Sequence, residues 1–212
     1  MTQYNIIAES QEYTVVAEFD HVATPAEAYQ SEADLEKEFI RLLGEQGYEY
    51  LPIHKEADLI FNLRDQLEKL NHYHFTDNEW EHFFNECIAN KNDDIVAKTA
   101  KIQDDYIQVL KRDTGESQNI KLIDKDNIHN NFVQVINQYV EEGGNYDTRY
   151  DVSILVNGLP LVHIELKRRG VQLKEAFNQI NRYQRDSFWA GCGLYEYCLL
   201  YTSPSPRDTE RS

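Results

Sequence analysis

Residues 149–170, RYDVSILVNGLPLVHIELKRRG, restrict the fold of this chain more than any other stretch. Two apolar runs flank Asn157-Gly158, a pair that favours the tight turn of a β-hairpin. Read as a two-residue loop, the turn pairs Val156 with Leu159, sets Asp151 and Glu165 on opposite faces, and mixes polar with apolar residues on both. A three-residue loop, Asn157-Gly158-Leu159, instead pairs Val156 with Pro160 and sets Asp151 opposite Glu165. One face then carries Val152, Ile154, Val156, Val162, Ile164 and Leu166, and the other Asp151, Ser153, Leu155, Leu161, His163, Glu165 and Lys167. Each misplaced large aliphatic side chain forfeits roughly 1.5–3 kcal/mol of burial, more than the few tenths to ~1 kcal/mol carried by a cross-strand pair. The three-residue loop is therefore the expected register.

In that register two carboxylates face each other with Cβ atoms about 4.5–5.5 Å apart, an arrangement that repels unless a cation lies between them. A hard divalent ion such as Mg²⁺ suits the position, because it binds through one or two carboxylates and keeps water for a substrate phosphate. Lys167 points to the same face and can hold a water nucleophile or balance charge on a phosphate under attack, as phosphodiester hydrolysis requires. The plain alternative is an amphipathic hairpin with a solvated polar face. The apolar run NFVQVINQYV beginning at Asn131 favours an inner strand, where unpaired charges are costly.

The rest of the chain supplies the scaffold. Its 212 residues, 41% hydrophobic, allow one substantial core. SEADLEKEFIRLLGEQG at 31–47 predicts a helix, with Ser31 as N-cap, Asp34 three residues on and Gly47 as the stop. LIFNLRDQLEKLN and TDNEWEHFFNECIA, the latter capped by Thr76, predict two more. DYIQVLKR and NIKLID predict strands around the turn DTGES. A last helix is expected over 171–188, with Leu173, Phe177, Ile180 and Tyr183 or Gln184 along one stripe. The fold class is α/β, a mixed sheet flanked by helices with a helical elaboration ahead of it. Residues 1–30 read as an extension, 31–197 as the domain (helical part 59–100, core 105–190), and 198–212, with its Ser-Pro-Ser-Pro run, as a disordered or foreign tail.

A formal net charge of −16 excludes a surface that grips polyanions everywhere. The dense basic cluster is local, Lys167, Arg168, Arg169, Lys174, Arg182 and Arg185, next to the two acids, where phosphate contacts would need it. Gln179 and Tyr183 share a helix face at i and i+4; they are either backbone-contacting groups or a stripe bordering the core. Nothing resembles a GxxxxGK[ST] phosphate loop or a GxGxxG dinucleotide turn. Cys87, Cys192 and Cys198 lack CxxC spacing and read as idle thiols, and His72, His74 and His82 as exposed or capping residues. The basic start and apolar run of a signal sequence are missing and no apolar stretch spans a bilayer, so a cytoplasmic location is expected.

Asp151, Glu165 and Lys167 together form the pattern of PD-(D/E)xK nucleases, and Gln179 with Tyr183 resembles the QxxxY motif of their RecB-like branch. The hairpin followed by EAFNQINRY resembles the N-terminal nuclease domain of the restriction (R, HsdR) subunit of type I restriction-modification enzymes. SEADLEKEFIRLLGEQGYEY, NLRDQLEKLN and NNFVQVINQYV are similar to that family as well, so the likeness runs from about Ser31 to Tyr183. It implies a restriction-endonuclease-like core acting as a type I site-specific deoxyribonuclease. Asp151 and Glu165 would be Mg²⁺ ligands, Lys167 the catalytic lysine, and Glu36 an additional acid from the first helix. Gln179, Tyr183, Arg182, Lys174, Arg168 and Arg169 would face double-stranded DNA. The family's ATP-driven motor has no counterpart in this sequence, and its methyltransferase and specificity subunits are the implied partners. In the family a further core strand follows the QxxxY helix, where this chain has YEYCLLYTSPSPRDTERS. Two other readings remain: a nuclease-like module that only binds DNA or docks a subunit, and a free-standing junction or repair nuclease.

Overall fold

A computed structural model describes residues 4–9, 15–19, 31–144, 148–167, 173–197 and 199–202. Strands β1 (Tyr4–Glu9) and β2 (Val15–Phe19) form their own antiparallel pair ahead of the domain. Helix α1 (Glu32–Glu45) starts where the Ser31 hydroxyl accepts a hydrogen bond from the Asp34 N–H, as its sequence predicts. The chain then reverses at Gly47, whose φ of +92° is the left-handed conformation glycine adopts without penalty, and enters β3 (Glu49–Tyr50).

Helices α2 (Glu56–Asn71), α3 (Asp77–Phe83) and α4 (Ile95–Gln103) form the helical part, α3 running on into a π turn over Phe84–Ile88. Thr76 and Glu79 cap α3 reciprocally, each side chain meeting the other's backbone N–H. The expected hairpin of β4 (Ile107–Lys111) and β5 (Ser117–Lys121) stands apart from the main sheet.

The main sheet is mixed, in the order β3-β6-β7-β8-β9, from β6 (Val133–Glu141), β7 (Thr148–Val156), β8 (Leu159–Glu165) and β9 (Leu199–Thr202). β7 runs antiparallel to both β6 and β8, β3 runs parallel to β6, and β9 parallel to β8. Helix α5 (Leu173–Asp186) and a 3₁₀ turn over Leu194–Tyr197 lie between β8 and β9. The strand β9 corrects the expectation that everything from residue 198 onward is tail: Leu199 to Thr202 pair with Val162 to Glu165.

Hydrophobic segregation of the hairpin is as expected, but the loop is not. Val156 pairs with Leu159 across Asn157-Gly158, and both turn residues have positive φ, +51° and +82°, as a type I′ turn demands. The ladder then shifts by one: Leu155 pairs with Pro160 while Ile154 pairs with Val162, so Leu161 is an extra residue. This bulge reconciles a turn that favours one register with an apolar pattern that favours the other.

Both faces of the sheet are covered. On one, Val135, Val152, Ile164 and Leu166 meet Leu35, Phe39, Ile40 and Leu43 of α1, residues spaced for one helical face. On the other, Ile136, Leu155 and Leu159 join Leu59, Leu63 and Leu67 of α2, with Tyr183, Phe188 and Tyr195. A Cβ on Gly158 would fall 2.5 Å from the Leu63 Cα, so α2 rests on the hairpin tip. The face expected to be polar is therefore packed rather than solvated, and even Ser153 is buried, sharing a 3.1 Å hydrogen bond with the Tyr195 hydroxyl. No helix among the described residues is long and apolar enough to cross a membrane.

Candidate active site

Asp151 lies within β7 and Glu165 ends β8, on neighbouring inner strands. Pairing of Val152 with Ile164 carries the ladder to the step before them. The Asp151 Oδ2 accepts a 3.0 Å hydrogen bond from the Leu166 N–H, drawing its carboxyl to the chain just beyond Glu165. Lys167 is half-buried and its Nζ donates to the Glu165 Oε1 at 2.6 Å. The three residues expected to form the site are thus brought together.

The electrostatics of the two acids differ sharply. Burial, and then the neighbouring Glu165 carboxylate, push Asp151 up to about 7, against the opposing pull of the Leu166 N–H and Lys167. Burial pushes Glu165 up too, but His163 and Lys167 outweigh it and hold its carboxyl below the usual range. His163 lies with its Nε2 3.6 Å from the Glu165 Oε2, near enough to bias charge but too far for a hydrogen bond. The Glu165 Oε2 is buried without a hydrogen-bond partner.

These features fit a hard divalent cation. Oxygen donors are present, one of them buried and unsatisfied, and burial and then the Glu165 carboxylate both disfavour the charged form of Asp151, a cost that a cation between the two acids would offset. Among the described residues no group of three or more His, Cys, Asp and Glu forms a metal cage. An ion held here would therefore have two protein carboxylates and complete its shell with water or substrate oxygen.

The Glu36 oxygens are occupied by amides from β6: the Asn137 Nδ2 donates at 2.6 Å to Oε1, and the Gln138 Nε2 donates to Oε2. Consecutive strand residues normally point to opposite faces. Here Gln138 has φ +52°, so Asn137 and Gln138 both reach Glu36 while Ile136 and Tyr139 both join the opposite core. Gln138 falls between the pairs Asn137–Val152 and Tyr139–Tyr150, at the ladder position opposite Asp151. Glu36 is thereby held one strand away from Asp151.

Tyr183 is only 3% exposed. Its hydroxyl donates to the Arg149 carbonyl at 3.3 Å and accepts from the Gln179 amide, tying α5 to the start of β7. Burial raises it to about 12, with Glu165 and Asp151 adding to the rise and Gln179 and Arg182 opposing it. Tyr183 therefore braces the strand that bears Asp151, and its ring does not form part of an exposed DNA-facing surface. Gln179, Arg182 and Arg185 line an open depression along α5 with Glu175, Asn178 and Asn181. The exposed Arg182 guanidinium lies 5.6 Å from the Tyr183 ring centroid, whereas Arg185 is paired with Asp186 at 2.9 Å. Arg168 and Arg169, and the side chain of Lys174, lie outside the described residues.

The remaining candidates make separate contacts. His72 ends α2 in a left-handed conformation, His74 pairs with Glu68, and the His82 Nδ1 lies 2.9 Å from the Asn78 carbonyl. Cys87 and Cys192 are free, half-buried thiols pushed up by burial; Cys198 lies outside the described residues. Sequence reading set His163 on the face of Asp151, Glu165 and Lys167 without giving it a role, and passed over Gln138. Histidine two residues before Glu165 on a buried face was the available signal for the first, and adjacent Asn137-Gln138 inside an apolar run for the second.

A mixed sheet that gathers two carboxylates and a lysine on adjoining inner strands is consistent with an α/β fold of nuclease-like build. The chain belongs to the family described as the type I restriction enzyme R protein N terminus (HSDR_N), whose model matches residues 29–205. It is 45% identical over 204 residues to the type I restriction enzyme EcoprrI endonuclease subunit of Escherichia coli, a match covering 96% of this chain and 65% of that protein. Over 186 residues it is 38% identical to the SsaAORF53P endonuclease subunit of Staphylococcus saprophyticus, covering 85% of this chain and 19% of the relative. The SauMSSORF170P endonuclease subunit of Staphylococcus aureus is 37% identical over 179 residues, covering 82% of this chain and 18% of the relative. The chain thus spans just under two thirds of the first relative and less than a fifth of the other two.

Proposed function

We propose that this chain is the nuclease domain of a type I restriction enzyme R subunit, with a PD-(D/E)xK core that hydrolyses phosphodiester bonds of double-stranded DNA with Mg²⁺. The observation that carries the reading is the convergence of Asp151, Glu165 and Lys167, with an unsatisfied Glu165 oxygen, in a member of this family. The Asp151 carboxylate and the Glu165 Oε2 are the groups that would hold the ion. When bound, it would lower the pKa of water and withdraw charge from the phosphate.

Lys167 would orient the attacking water and offset negative charge growing on the phosphate oxygens. Its contact with the Glu165 Oε1 fixes the ammonium and leaves the other carboxylate oxygen available. Arg182 and Gln179 offer a cationic and a hydrogen-bonding group to the DNA backbone, a mode of contact that carries no base specificity. Sequence choice would then rest with a specificity subunit, methylation with a methyltransferase subunit, and ATP use with a motor region elsewhere in the R subunit. Tyr183 serves the site by holding β7.

Cleavage assays on the assembled enzyme test the assignment. Asp151→Ala, Glu165→Ala and Lys167→Ala should each reduce double-strand cleavage by roughly 10²–10³-fold or more, with ATP hydrolysis and assembly retained. Cleavage at the wild-type rate by any of the three variants would remove that residue from the site. Mg²⁺-independent cleavage would remove the metal.

A further inference from the structure

Among the described residues, three buried side-chain polar atoms have no hydrogen-bond partner: the Nδ1 and Nε2 of His163 and the Oε2 of Glu165. Buried polar atoms are nearly always bonded. That all three belong to two residues 3.6 Å apart sets this pair off from the rest of the core. His163 and Glu165 are both fully buried and, two apart on β8, share a face. A phenylalanine or leucine would fill the His163 position without leaving two nitrogens unsatisfied.

The ring is also confined. Its centroid lies 5.0 Å from that of Tyr150, 5.8 Å from Tyr183 and 6.1 Å from Phe188, all edge-on. So enclosed, the Nε2 stays beside Glu165. Lys167 approaches that carboxylate from the Oε1 side and His163 from the Oε2 side, so residues 163, 165 and 167 form one row with the acid flanked by a nitrogen on each side.

We propose that His163 is a positioning residue: confined with its Nε2 3.6 Å from the Glu165 Oε2, it biases the rotation of that carboxylate through space and so sets the affinity of the site for a divalent ion; this rests on the nuclease reading above. Outer partners that orient a ligating group characteristically change metal affinity by about 10–100-fold when removed. A residue kept only for packing does not.

The test compares wild type, His163→Phe and His163→Gln in the R subunit without nucleotide, with Glu165→Ala as the blank for ions bound elsewhere. Mn²⁺ binding is measured by calorimetry, folding by thermal melting, and the Mg²⁺ dependence of cleavage in the assembled enzyme. His163→Phe should melt at or above the wild-type temperature yet bind Mn²⁺ about 10–100-fold more weakly, with half-maximal cleavage at correspondingly higher Mg²⁺. His163→Gln, which keeps a donor near Oε2, should recover most of that loss. Wild-type affinity in His163→Phe overturns the inference alone, as does a folded His163→Gln no better than His163→Phe. Should His163→Phe not fold, His163→Gln decides: near-wild-type affinity supports the inference and a 10-fold or greater loss overturns it. A wild-type protein that binds no more Mn²⁺ than the Glu165→Ala blank overturns the nuclease reading and this inference with it.

Discussion

Replacing Asp151 by asparagine should stabilise the metal-free protein while destroying its site. The Asp151 carboxyl rises from 3.8 to about 7 because burial and Glu165 both disfavour its charge. At about 1.4 kcal/mol for each tenfold change in proton affinity, the rise corresponds to roughly 4 kcal/mol. An acid that holds its proton more tightly in the folded chain adds stability that is complete below 3.8 and is lost as pH climbs through about 7. Near pH 8 the folded protein therefore carries the full cost of ionising Asp151. The group is only partly buried, so solvent screening reduces that cost to about 1–2 kcal/mol. Asparagine fits the same space, can still accept from the Leu166 N–H, and carries no charge. In chelator near pH 8, Asp151→Asn should melt about 2–8 °C above wild type, since 1 kcal/mol is worth about 2–4 °C in a domain of this size. Near pH 3.5, below the unfolded value of 3.8, Asp151 is protonated in the folded and the unfolded chain alike, and the two should coincide. Mg²⁺ should then raise the melting temperature of wild type and leave the variant unmoved. A variant that melts below wild type near pH 8, or a gap of equal size near pH 3.5, would refute the account of Asp151 as a repelled carboxyl.

Two further substitutions probe the scaffold around the site. Tyr183→Phe removes the hydrogen bond to the Arg149 carbonyl and should cost about 1–2 kcal/mol in urea denaturation, whereas Gln179→Ala should leave stability within ~0.5 kcal/mol and weaken DNA binding. Gln138→Val forces a β-branched residue into φ +52° and should cost about 1–3 kcal/mol, while Gln138→Gly, free to adopt that angle, should stay within about 1 kcal/mol of wild type in the same assay.

What the sequence made visible was the division of labour between faces. Val152, Ile154, Val162, Ile164 and Leu166 alternate so regularly that burial alone orients the hairpin, and the acids follow from it. The error lay in treating turn type and apolar pattern as exclusive. A single extra residue, Leu161, lets each prevail over its own part of the hairpin, and a bulge of that kind leaves no compositional trace. Tyr183 was legible as a motif but not as a brace, because helical spacing places it on the edge between core and surface and only the position of β7 decides the matter. The reversal at Gln138 was hidden for a related reason: its left-handed backbone is a tertiary choice, made by a residue type with no particular preference for it. β9 was missed because Leu199 to Thr202 is short and abuts a proline-rich run, and its pairing depends on the distant β8.

The parallel pairing of β9 with β8 fixes where the backbone departs from the sheet. Because Thr202 lies beside Glu165, the polypeptide leaves at the same rim where the two acids meet. An extended segment advances at most about 3.3–3.6 Å per residue, so each residue after Thr202 could carry the chain only that far from the two acids. Under the proposed reading, whatever follows the sheet in the chain would start its path beside the acids and not on the far side of the domain.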